Sequence, residues 1–574
     1  PMLPGMVPPY WLRAALVGAL FLVGAELALR GAGRFDPTEL EDPYLGFPGT
    51  APLYRARSDA YGRPLRVTSP NKLTKYRLLQ FVEDKPANEL RTFFLGGSSV
   101  YAGTLVDPDA SMPRMLQLYL RAADPYVTPR VVNAGGAGMG SVQNLEVARE
   151  VLGYGADVLV LYPEGGEKNL IPPMPGGVLA VRDEQSPARV RARQLLAPLR
   201  VYIAVREAYQ ALLPASQTSA LRSPFSAMVG YALSRPFGEE TFTRLFELKW
   251  DRAPVLMPSV IPREEVDRAN RRFERCLRET AELCRARGVE FVLVLPLHNL
   301  MSSFYLRFHI DPAELRPGAE AAWREAYERG LALKRAGDAE AALAVLLSIR
   351  DLYVEDRDDM LAFYVAQCWD ELGRPELALE ERLRIYERRE MIRRIRKVAA
   401  EEGVPLVDCM PDLIAACGGR TPGYEFFQDS FHPQANLNQY VARGVAAVLA
   451  ERGVVPAFPP GSPRLVDVEH VLAKLVEESP VPMYVPMLLA MERGDYEEAV
   501  RLGRTIDPQR LFLNTVEPFY VGWALTRAGR LDEARELHSE MLRRWQSELI
   551  ELPDMTTDAG LVEHAFQGDV VAIF

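Results

Sequence analysis

The stretch RTFFLGGSSVYAG, residues 91–103, decides which fold this chain is expected to adopt. Residues 92–95 form a short β-type run, and two glycines, Ser98 and Ser99 follow it directly. A strand that ends in glycines with a serine behind them places a hydroxyl at the carboxyl edge of a sheet, where open α/β proteins hold their sites. Backbone N–H groups at the start of the next helix can face a developing anion there.

The same alternation of strands and helices continues along the chain. Buried-type apolar runs occur at RVVN, VLVLY, EFVLVL and VPLV, and helical segments with one apolar side separate them. Continuous apolar strands between amphipathic helices are typical of a parallel sheet that is covered on both faces. The predicted fold class is therefore α/β.

Composition limits the class of protein. The chain has 574 residues, 48% of them hydrophobic and 25% charged, which is typical of a folded protein; its length predicts about two to four domains. The net charge is −10 without a long basic run, so nucleic acid is not an expected partner.

The five cysteines form no CxxC pair and no zinc-type spacing, so no metal or other cofactor is expected. Cys409 and Cys417 are candidates for a disulfide in an oxidising compartment.

The N-terminal segment, residues 1–31, carries an uncharged run at residues 14–25 with Glu26 directly behind it. Sixteen residues separate Arg13 from Arg30, which is at the short edge of the roughly 17 to 25 that a spanning helix needs. A membrane anchor, a cleaved signal peptide and a buried helix all fit this pattern. Because Glu26 stands where a cleavage site needs small residues, we expect an anchor in the lipid bilayer, with the bulk of the chain outside the cytoplasm.

Two insertions interrupt the alternation, at residues 170–262 and 313–387. In the second, RAGDAEAALAVL recurs as ELGRPELALEER, and the turn glycines Gly337 and Gly373 are 36 positions apart. ERGDYEEAVRLG and RAGRLDEARELH repeat the pattern near the C-terminus. A turn glycine followed five positions later by alanine resembles tetratricopeptide helical hairpins, with plain helical hairpins as the alternative.

The expected domains follow the order of these segments along the chain. They are the anchor (1–31), a linker and packing segment (32–89), the first part of the α/β body (90–300), the repeat-like insertion (313–387), the second part of the body (388–455), C-terminal repeat-like helices (460–545) and a tail (546–574).

A second polar cluster lies far downstream, in FQDSFHPQANLNQY. Asp429 precedes His432 by three residues, in a loop before a predicted helix from about residue 435 to 452. This spacing lets the carboxylate fold back onto the imidazole and fix its tautomer. A serine hydroxyl needs such a base at neutral pH, and the base needs an orienting group. Taken alone, however, Asp-x-x-His is more often a cap or a surface pair.

Four blocks in order resemble the SGNH (GDSL-type) hydrolase family. They are FFLGGSSV at the first strand, NAGGAGMGS after the second, a turn containing Gly and Asn after the third, and DSFHP before the last helix. The resemblance covers residues 90–300 and 388–455 and implies a flavodoxin-like, three-layer parallel sheet. DPYLGFPG near the N-terminus and the repeat-like insertion further resemble a membrane-anchored bacterial subgroup, which implies a place in the inner membrane with the bulk facing the periplasm or exterior.

The resemblance also implies the roles of particular residues. The family's nucleophile matches Ser98, its Asp and His match Asp429 and His432, and its second-block oxyanion donor matches Gly138, together with the N–H of Ser98. Ser99 is the alternative nucleophile. Further candidates for the pocket are Asn133, Glu167 and His298.

The third block departs from the family pattern, in which the strand ends with Gly-x-Asn and the Asn donates to the oxyanion. Here the strand runs into LYPEGGEKNL, so the Asn position falls on Gly166 and Asn169 comes three residues late. Loss of one oxyanion donor lowers turnover by about 100- to 1,000-fold in other enzymes. Either Asn169 reaches in from a longer loop, a backbone N–H of the Gly165–Gly166 turn replaces it, or activity is feeble.

The expected function is an extracytoplasmic serine esterase or O-acyltransferase that acts through an acyl-serine. Its substrate would be an acylated small molecule or an acylated envelope glycan, and the sequence does not separate hydrolysis from transfer. The alternative is a catalytically degenerate scaffold that binds a protein partner through the repeat-like helices.

Overall fold

A computed structural model of the chain describes the α/β body and most of the helical segments. The described residues are 9–37, 51–73, 76–101, 108–136, 139–163, 195–196, 198–211, 255–256, 263–302, 309–310, 312–354, 359–429, 431–457, 462–478, 484–492, 494–505 and short stretches between 521 and 537. The predicted tail at 546–574 and most of the 170–262 insertion lie outside them.

Ten strands occur in these residues. They are β1 (Tyr54–Ser58), β2 (Pro64–Thr68), β3 (Gln80–Val82), β4 (Glu89–Gly96), β5 (Thr128–Asn133), β6 (Val158–Tyr162), β7 (Val255–Leu256), β8 (Glu290–Val294), β9 (His309–Ile310) and β10 (Leu406–Val407).

Sixteen α-helices occur in the same residues. They are α1 (Pro9–Gly31), α2 (Ser98–Tyr101), α3 (Met112–Ala123), α4 (Ser141–Val151), α5 (Arg200–Ala211), α6 (Arg263–Arg287), α7 (Glu320–Arg335), α8 (Ala339–Ile349), α9 (Asp359–Glu371), α10 (Pro375–Arg388), α11 (Glu390–Glu402), α12 (Met410–Ala416), α13 (Ala435–Glu451), α14 (Pro463–Glu478), α15 (Tyr484–Glu492) and α16 (Tyr496–Gly503).

The centre of the molecule is a five-stranded parallel sheet in the order β10-β8-β6-β4-β5. Strand β4 lies between β5 and β6, and its Phe94 pairs with Asn133 of β5 and with Val160 of β6. All eight residues of β4 are buried, as are all five of β6. Continuous burial explains why β6 reads as an unbroken apolar run, and the α/β class predicted from such runs is confirmed.

Helices cover the sheet in two groups. α3 packs against α13, whereas α4 packs against α6 and α6 against α11. The connection through α3 leads from β4 to β5, and the connection through α4 leads back past β4 to β6. Since such crossovers are right-handed, opposite directions of travel place these two helices on opposite faces.

The segment predicted as a linker contains regular structure. Within residues 32–89, β1, β2 and β3 form an antiparallel sheet of three strands. Glu150 on α4 accepts hydrogen bonds from the N–H groups of Leu53 and Tyr54, and the guanidinium of Arg91 donates to the carbonyl of Val82. This small sheet is therefore joined to the body at both of its sides.

Helix pairs occupy both of the repeat-like segments. α7 packs on α8, α9 on α10, and α15 on α16. The turn glycines Gly337, Gly373, Gly494 and Gly529 all have positive φ, between 69° and 80°. Only glycine adopts this conformation readily, which explains why the sequence repeats glycine at these turns. Their classification as tetratricopeptide hairpins stays a prediction.

Helix α1 covers the N-terminal run and contacts α5. Among the residues that the structure describes, no helix has both the length and the apolar character of a membrane span.

Cys409 and Cys417 are both free thiols in the structure. Each sulfur has its own partner, because Cys409 contacts the carbonyl of Tyr440 and Cys417 the carboxylate of Glu425. Helix α12 separates the two residues, so the disulfide considered above is not formed.

Candidate active site

Ser98 stands at the point where the chain order of the sheet reverses. Strand β4 is first in the sheet along the chain, the second strand (β5) lies on one side of it, and the third (β6) lies on the other. The connections from neighbouring strands diverge here, and open α/β proteins hold ligands in the crevice that results. Ser98 begins α2 directly after Gly97, at the carboxyl end of β4.

Two glycines let this helix approach the sheet closely. A Cβ atom on Gly96 would lie 2.7 Å from the carbonyl oxygen of Tyr162, and one on Gly135 would lie 2.8 Å from the backbone nitrogen of Tyr101. Both distances are far below ordinary contact, and the side chain of Val100 on α2 would lie closer still to each Cβ, at 2.5 and 2.7 Å. The glycines of the first two sequence blocks therefore set the position of α2.

Asn133 forms a side-chain hydrogen bond to the same helix. Its Nδ2 donates to the carbonyl of Val100 at 2.8 Å, and its Oδ1 accepts from the backbone N–H of Gly135 at 3.0 Å. Asn133 was a candidate for the pocket, and the structure places it as a link between the end of β5 and α2.

The two serines have different surroundings. From residue 89 to residue 101 every residue is buried except Ser98, which is partly exposed. Ser99 is 2% exposed. A nucleophile must reach a substrate, so the exposure favours Ser98 over Ser99.

The loop between Phe427 and Pro433 presents the downstream pair. Oδ1 of Asp429 accepts from the backbone N–H groups of Phe431 and His432, at 2.9 and 2.8 Å. The backbone N–H of Gln428 donates to the carbonyl of His432, and its side-chain amide donates to the carbonyl of Pro433 at 2.7 Å. These bonds close the loop on itself and fix the carboxylate beneath the imidazole.

The structure brings Ser98, His432 and Asp429 into one hydrogen-bonded row. Nδ1 of His432 lies 2.6 Å from Oδ2 of Asp429, and Nε2 lies 2.8 Å from Oγ of Ser98. An ionised carboxylate only accepts, so the imidazole proton is on Nδ1 and Nε2 is free to accept from the hydroxyl. Asp429 and His432 are 3% and 6% exposed. The row has the order of groups that activates a serine.

The charge state of Asp429 follows from its contacts. Burial by itself raises the pKa of this carboxyl, but the interaction with His432 and the backbone N–H donors of Phe431 and His432 outweigh burial, so its pKa is lowered from the ordinary value. Asp429 is therefore an anion at neutral pH, and it can stabilise an imidazolium that forms beside it.

Asn299 is a residue that the sequence reasoning missed. Its Nδ2 donates to the carbonyl of Asp429 at 2.9 Å, and its Oδ1 accepts from the backbone N–H of Met301 at 3.0 Å. It is 3% exposed and follows β8 at the same sheet edge. The sequence feature that could have indicated Asn299 is the polar pair His298–Asn299 behind the apolar strand. Of this pair, only His298 was considered as a pocket residue.

His298, the other member of that pair, packs edge-on against Tyr386 of α10, with ring centroids 6.2 Å apart. The hydroxyl of Tyr386 donates to the carbonyl of Pro296 at 3.2 Å. Thus the last helix of the repeat-like insertion lies against the connection that leads from β8 to the site.

Three predicted site residues cannot be located. Gly138, Glu167 and Asn169 lie outside the described residues, so the second-block and third-block oxyanion donors stay predictions. Within the residues that the structure describes, no cluster of three or more His, Cys, Asp or Glu side chains is arranged to hold a metal ion.

Comparison with known proteins adds no relative. A scan against protein-family models finds no match for the chain, and a search of curated proteins finds none either.

Proposed function

We propose that this chain is a serine hydrolase of the SGNH type that cleaves or transfers ester-linked acyl groups through an acyl-serine. The single observation that carries the proposal is the row Ser98–His432–Asp429, with contacts of 2.8 and 2.6 Å between successive side chains. The residues come from segments more than 300 positions apart, so local sequence geometry does not explain their meeting.

The sheet order supports the same family assignment. Counted along the chain, the five strands stand in the order 2-1-3-4-5 when read from β5 to β10, which is the flavodoxin-like order. The SGNH resemblance implies this order. Many unrelated functions share such folds, so the order supports the fold type and the site must support the activity.

The reaction follows from the hydrogen-bonded row. Oγ of Ser98 attacks the ester carbonyl carbon while its proton moves to Nε2 of His432, and the carbonyl electrons pass to the oxygen. The tetrahedral intermediate collapses, the carbon–oxygen bond to the alcohol breaks, and the leaving oxygen takes the proton from Nε2. Asp429 holds Nδ1 throughout. Water or a sugar hydroxyl then attacks the acyl-serine by the same steps, and this acceptor decides between hydrolysis and transfer.

The oxyanion donors in this proposal are the backbone N–H groups of Ser98 and Gly138. Asn169 or the Gly165–Gly166 turn supplies a third donor. Preorganised donors of this kind stabilise the charge that develops on the carbonyl oxygen.

The cellular setting is part of the same proposal. Helix α1 exposes large apolar side chains such as Leu20 and Phe21, which supports attachment to a lipid bilayer at the bacterial inner membrane. With the body outside the cytoplasm, an acylated envelope glycan is the substrate class that we propose.

Turnover of para-nitrophenyl acetate by the purified full chain tests the proposal. We expect wild type and Ser99→Ala to release nitrophenol at similar rates and Ser98→Ala to release it at the uncatalysed rate. Equal rates for wild type and Ser98→Ala would contradict the proposed nucleophile.

A degenerate scaffold is the second candidate function. It is favoured by the departure in the third block, where Gly166 takes the position of the family's Asn. Under this alternative the helix pairs α7–α8 and α9–α10 bind a protein partner, and the row Ser98–His432–Asp429 catalyses no reaction. A chain that folds but releases no nitrophenol would favour it.

A further inference from the structure

The apolar run of α1 is exposed on every side. Residues 16–24 are nine consecutive exposed positions, and they include Leu20 and Phe21, which are 62% and 74% exposed. An α-helix completes a turn in about 3.6 residues, so nine residues pass through more than two turns and leave no covered face. A protein groove covers one stripe of a helix, whereas hydrocarbon surrounds it. The occupant that fits this surface is therefore lipid.

Helix α5 joins α1 just behind this run. The carboxylate of Glu26 accepts from the backbone N–H of Val201 at 3.0 Å, and the Arg200 guanidinium donates to the carbonyl of Arg34 at 2.8 Å and to Asp36 at 2.6 Å. Glu26 also pairs with Arg30. The single acid at the end of the apolar run is thus held by the helix that packs beside it, and the start of α5 is fixed beside the C-terminal end of α1.

The chain around that contact exposes a second apolar surface. Leu195, Leu196 and Leu199 are 77%, 42% and 36% exposed, although each is a large aliphatic side chain. Six residues span at most about 20 Å, so all three lie within that distance of the contact between Val201 and Glu26. The sequence ARVRAR, residues 188–193, carries three arginines and is separated from Leu195 by one residue. Basic residues beside exposed aliphatic ones are typical of segments that bind anionic lipid surfaces.

We propose that Leu195, Leu196 and Leu199, called here the collar leucines, form a second lipid-contacting surface that lies in the membrane interface beside α1. This inference rests on the membrane attachment in the proposed function and extends it to a segment of the 170–262 insertion. The chain then contacts the bilayer at two places, α1 and the collar leucines. The polar contacts of Glu26 and Arg200 join the collar leucines to α1, the helix that enters the lipid.

Fluorescence quenching in vesicles tests the collar. The full chain is labelled with an environment-sensitive dye at Leu196→Cys, at Leu20→Cys in α1, or at Glu376→Cys on the exposed side of α10. The native cysteines are buried and do not compete for the label. Each sample is reconstituted into phosphatidylcholine–phosphatidylglycerol vesicles that contain lipids with a nitroxide near the headgroup.

We expect the dye at Leu196→Cys and at Leu20→Cys to lose most of its fluorescence and the dye at Glu376→Cys to keep it. Quenching at Leu20→Cys alone would contradict lipid contact by the collar leucines, but it would support membrane attachment through α1. Fluorescence retained at both apolar positions would overturn the collar and the attachment together, while the acyl-serine chemistry is tested separately by nitrophenol release.

Discussion

At the residue scale, the surroundings of a serine decide whether its hydroxyl can act as a nucleophile. Ser98 is the one partly exposed residue in a buried stretch from residue 89 to residue 101. His432 reaches it because the carboxylate of Asp429 accepts from the backbone N–H and from Nδ1 of His432 and so holds the imidazole in one orientation. Ser98 and Ser99 carry the same hydroxyl group. They differ in exposure and in that only Ser98 has the imidazole of His432 beside its hydroxyl in the residues that the structure describes.

Replacement of Asp429 by Asn tests the orienting role. The amide would present a donor where Nδ1 of His432 now donates, so the imidazole would take the wrong tautomer and Nε2 would no longer accept from Ser98. We expect kcat on para-nitrophenyl acetate to fall by about 10⁴-fold, as in other triads. A decrease of only a few-fold, with the fold intact by circular dichroism, would contradict this role.

Asn299→Ala tests a positioning residue. It removes the donor that holds the carbonyl of Asp429, and a displacement of about 1 Å can lower turnover by about 100-fold. We expect kcat to fall by about 10- to 100-fold with KM little changed. The matched control is Asn436→Ala at the start of α13, which removes a similar side-chain amide hydrogen bond, here an exposed one, to the carbonyl of Glu425. Equal effects of the two substitutions would assign Asn299 a merely structural role.

Part of the site could be predicted at this scale. Ser98 was a candidate because it follows glycines at a strand end, and Asp429 and His432 because of their spacing before a helix. Their roles as nucleophile, orienting carboxylate and base were expected from the SGNH resemblance. Asn299 was missed because a buried asparagine is recognised only by what it bonds, and its partner is a backbone carbonyl 130 positions away. No local pattern records such a contact.

At the element scale the glycines explain how strand and helix meet. The side chain of Val100 on α2 packs against Gly96 at the end of β4 and against Gly135 in the turn after β5. A side chain at either glycine would meet Val100 and a backbone atom, the carbonyl oxygen of Tyr162 or the nitrogen of Tyr101. Glycine is needed here for close approach, whereas in the helix hairpins it is needed for its positive φ.

Gly135→Ala tests the close approach. The new methyl would meet the backbone nitrogen of Tyr101 and the side chain of Val100, so we expect the free energy of unfolding to fall by about 1–3 kcal/mol. We also expect slower nitrophenol release, since α2 carries Ser98. Gly153→Ala is the control, because nothing lies within 4 Å of a Cβ at that position. Similar urea denaturation curves for the two variants would contradict the argument.

Elements were predictable where periodicity was strong. The four apolar strands that follow β4 along the chain appear in the structure at the predicted segments, as do the helix pairs α7–α8, α9–α10 and α15–α16. Most of the last predicted repeat, RAGRLDEARELH, lies outside the described residues. The sheet of β1, β2 and β3 was not recognised, because strands of three to five residues among Pro, Gly and Tyr show too few alternations to stand out from a linker.

At the scale of the whole molecule, ion pairs connect the outer helices that the insertion separates in sequence. Glu274 on α6 pairs with Arg394 and Lys397 on α11 and with Arg278 on its own helix. The hydrogen bond from Arg278 is the largest cause that lowers the pKa of Glu274 to about 2. The two helices flank the insertion, so this cluster joins the two parts of the body.

Glu274→Gln tests the cluster through pH. A carboxyl whose folded pKa is lowered stabilises the fold above its unfolded pKa, and the contribution is lost as pH falls through the folded value. We expect the Tm of the variant to lie below that of wild type at pH 7, and the gap to close between about pH 4.5 and about pH 2. Glu340→Gln, an exposed position on α8, is the control. A gap that stays constant with pH would contradict the assignment.

The assembly of the site from distant segments was the hardest feature to predict. More than 300 residues separate Ser98 from His432, and the repeat-like insertion lies between them. The structure shows that insertion resting on the body, where Tyr386 donates to the carbonyl of Pro296 and Arg382 to the hydroxyl of Thr421. Such contacts depend on how separate cores pack, and hydrophobic period in the sequence carries no information about them.

The most direct test of the central claim is to locate the adduct that a fluorophosphonate leaves on the full chain. The probe reacts only with a serine activated by its neighbours, so peptide mass spectrometry after labelling reports which hydroxyl the row Ser98–His432–Asp429 activates. The account predicts one adduct, on Ser98, that disappears in His432→Ala and persists in Ser99→Ala. An adduct on Ser99, or a folded wild-type chain that takes up no probe, would contradict it.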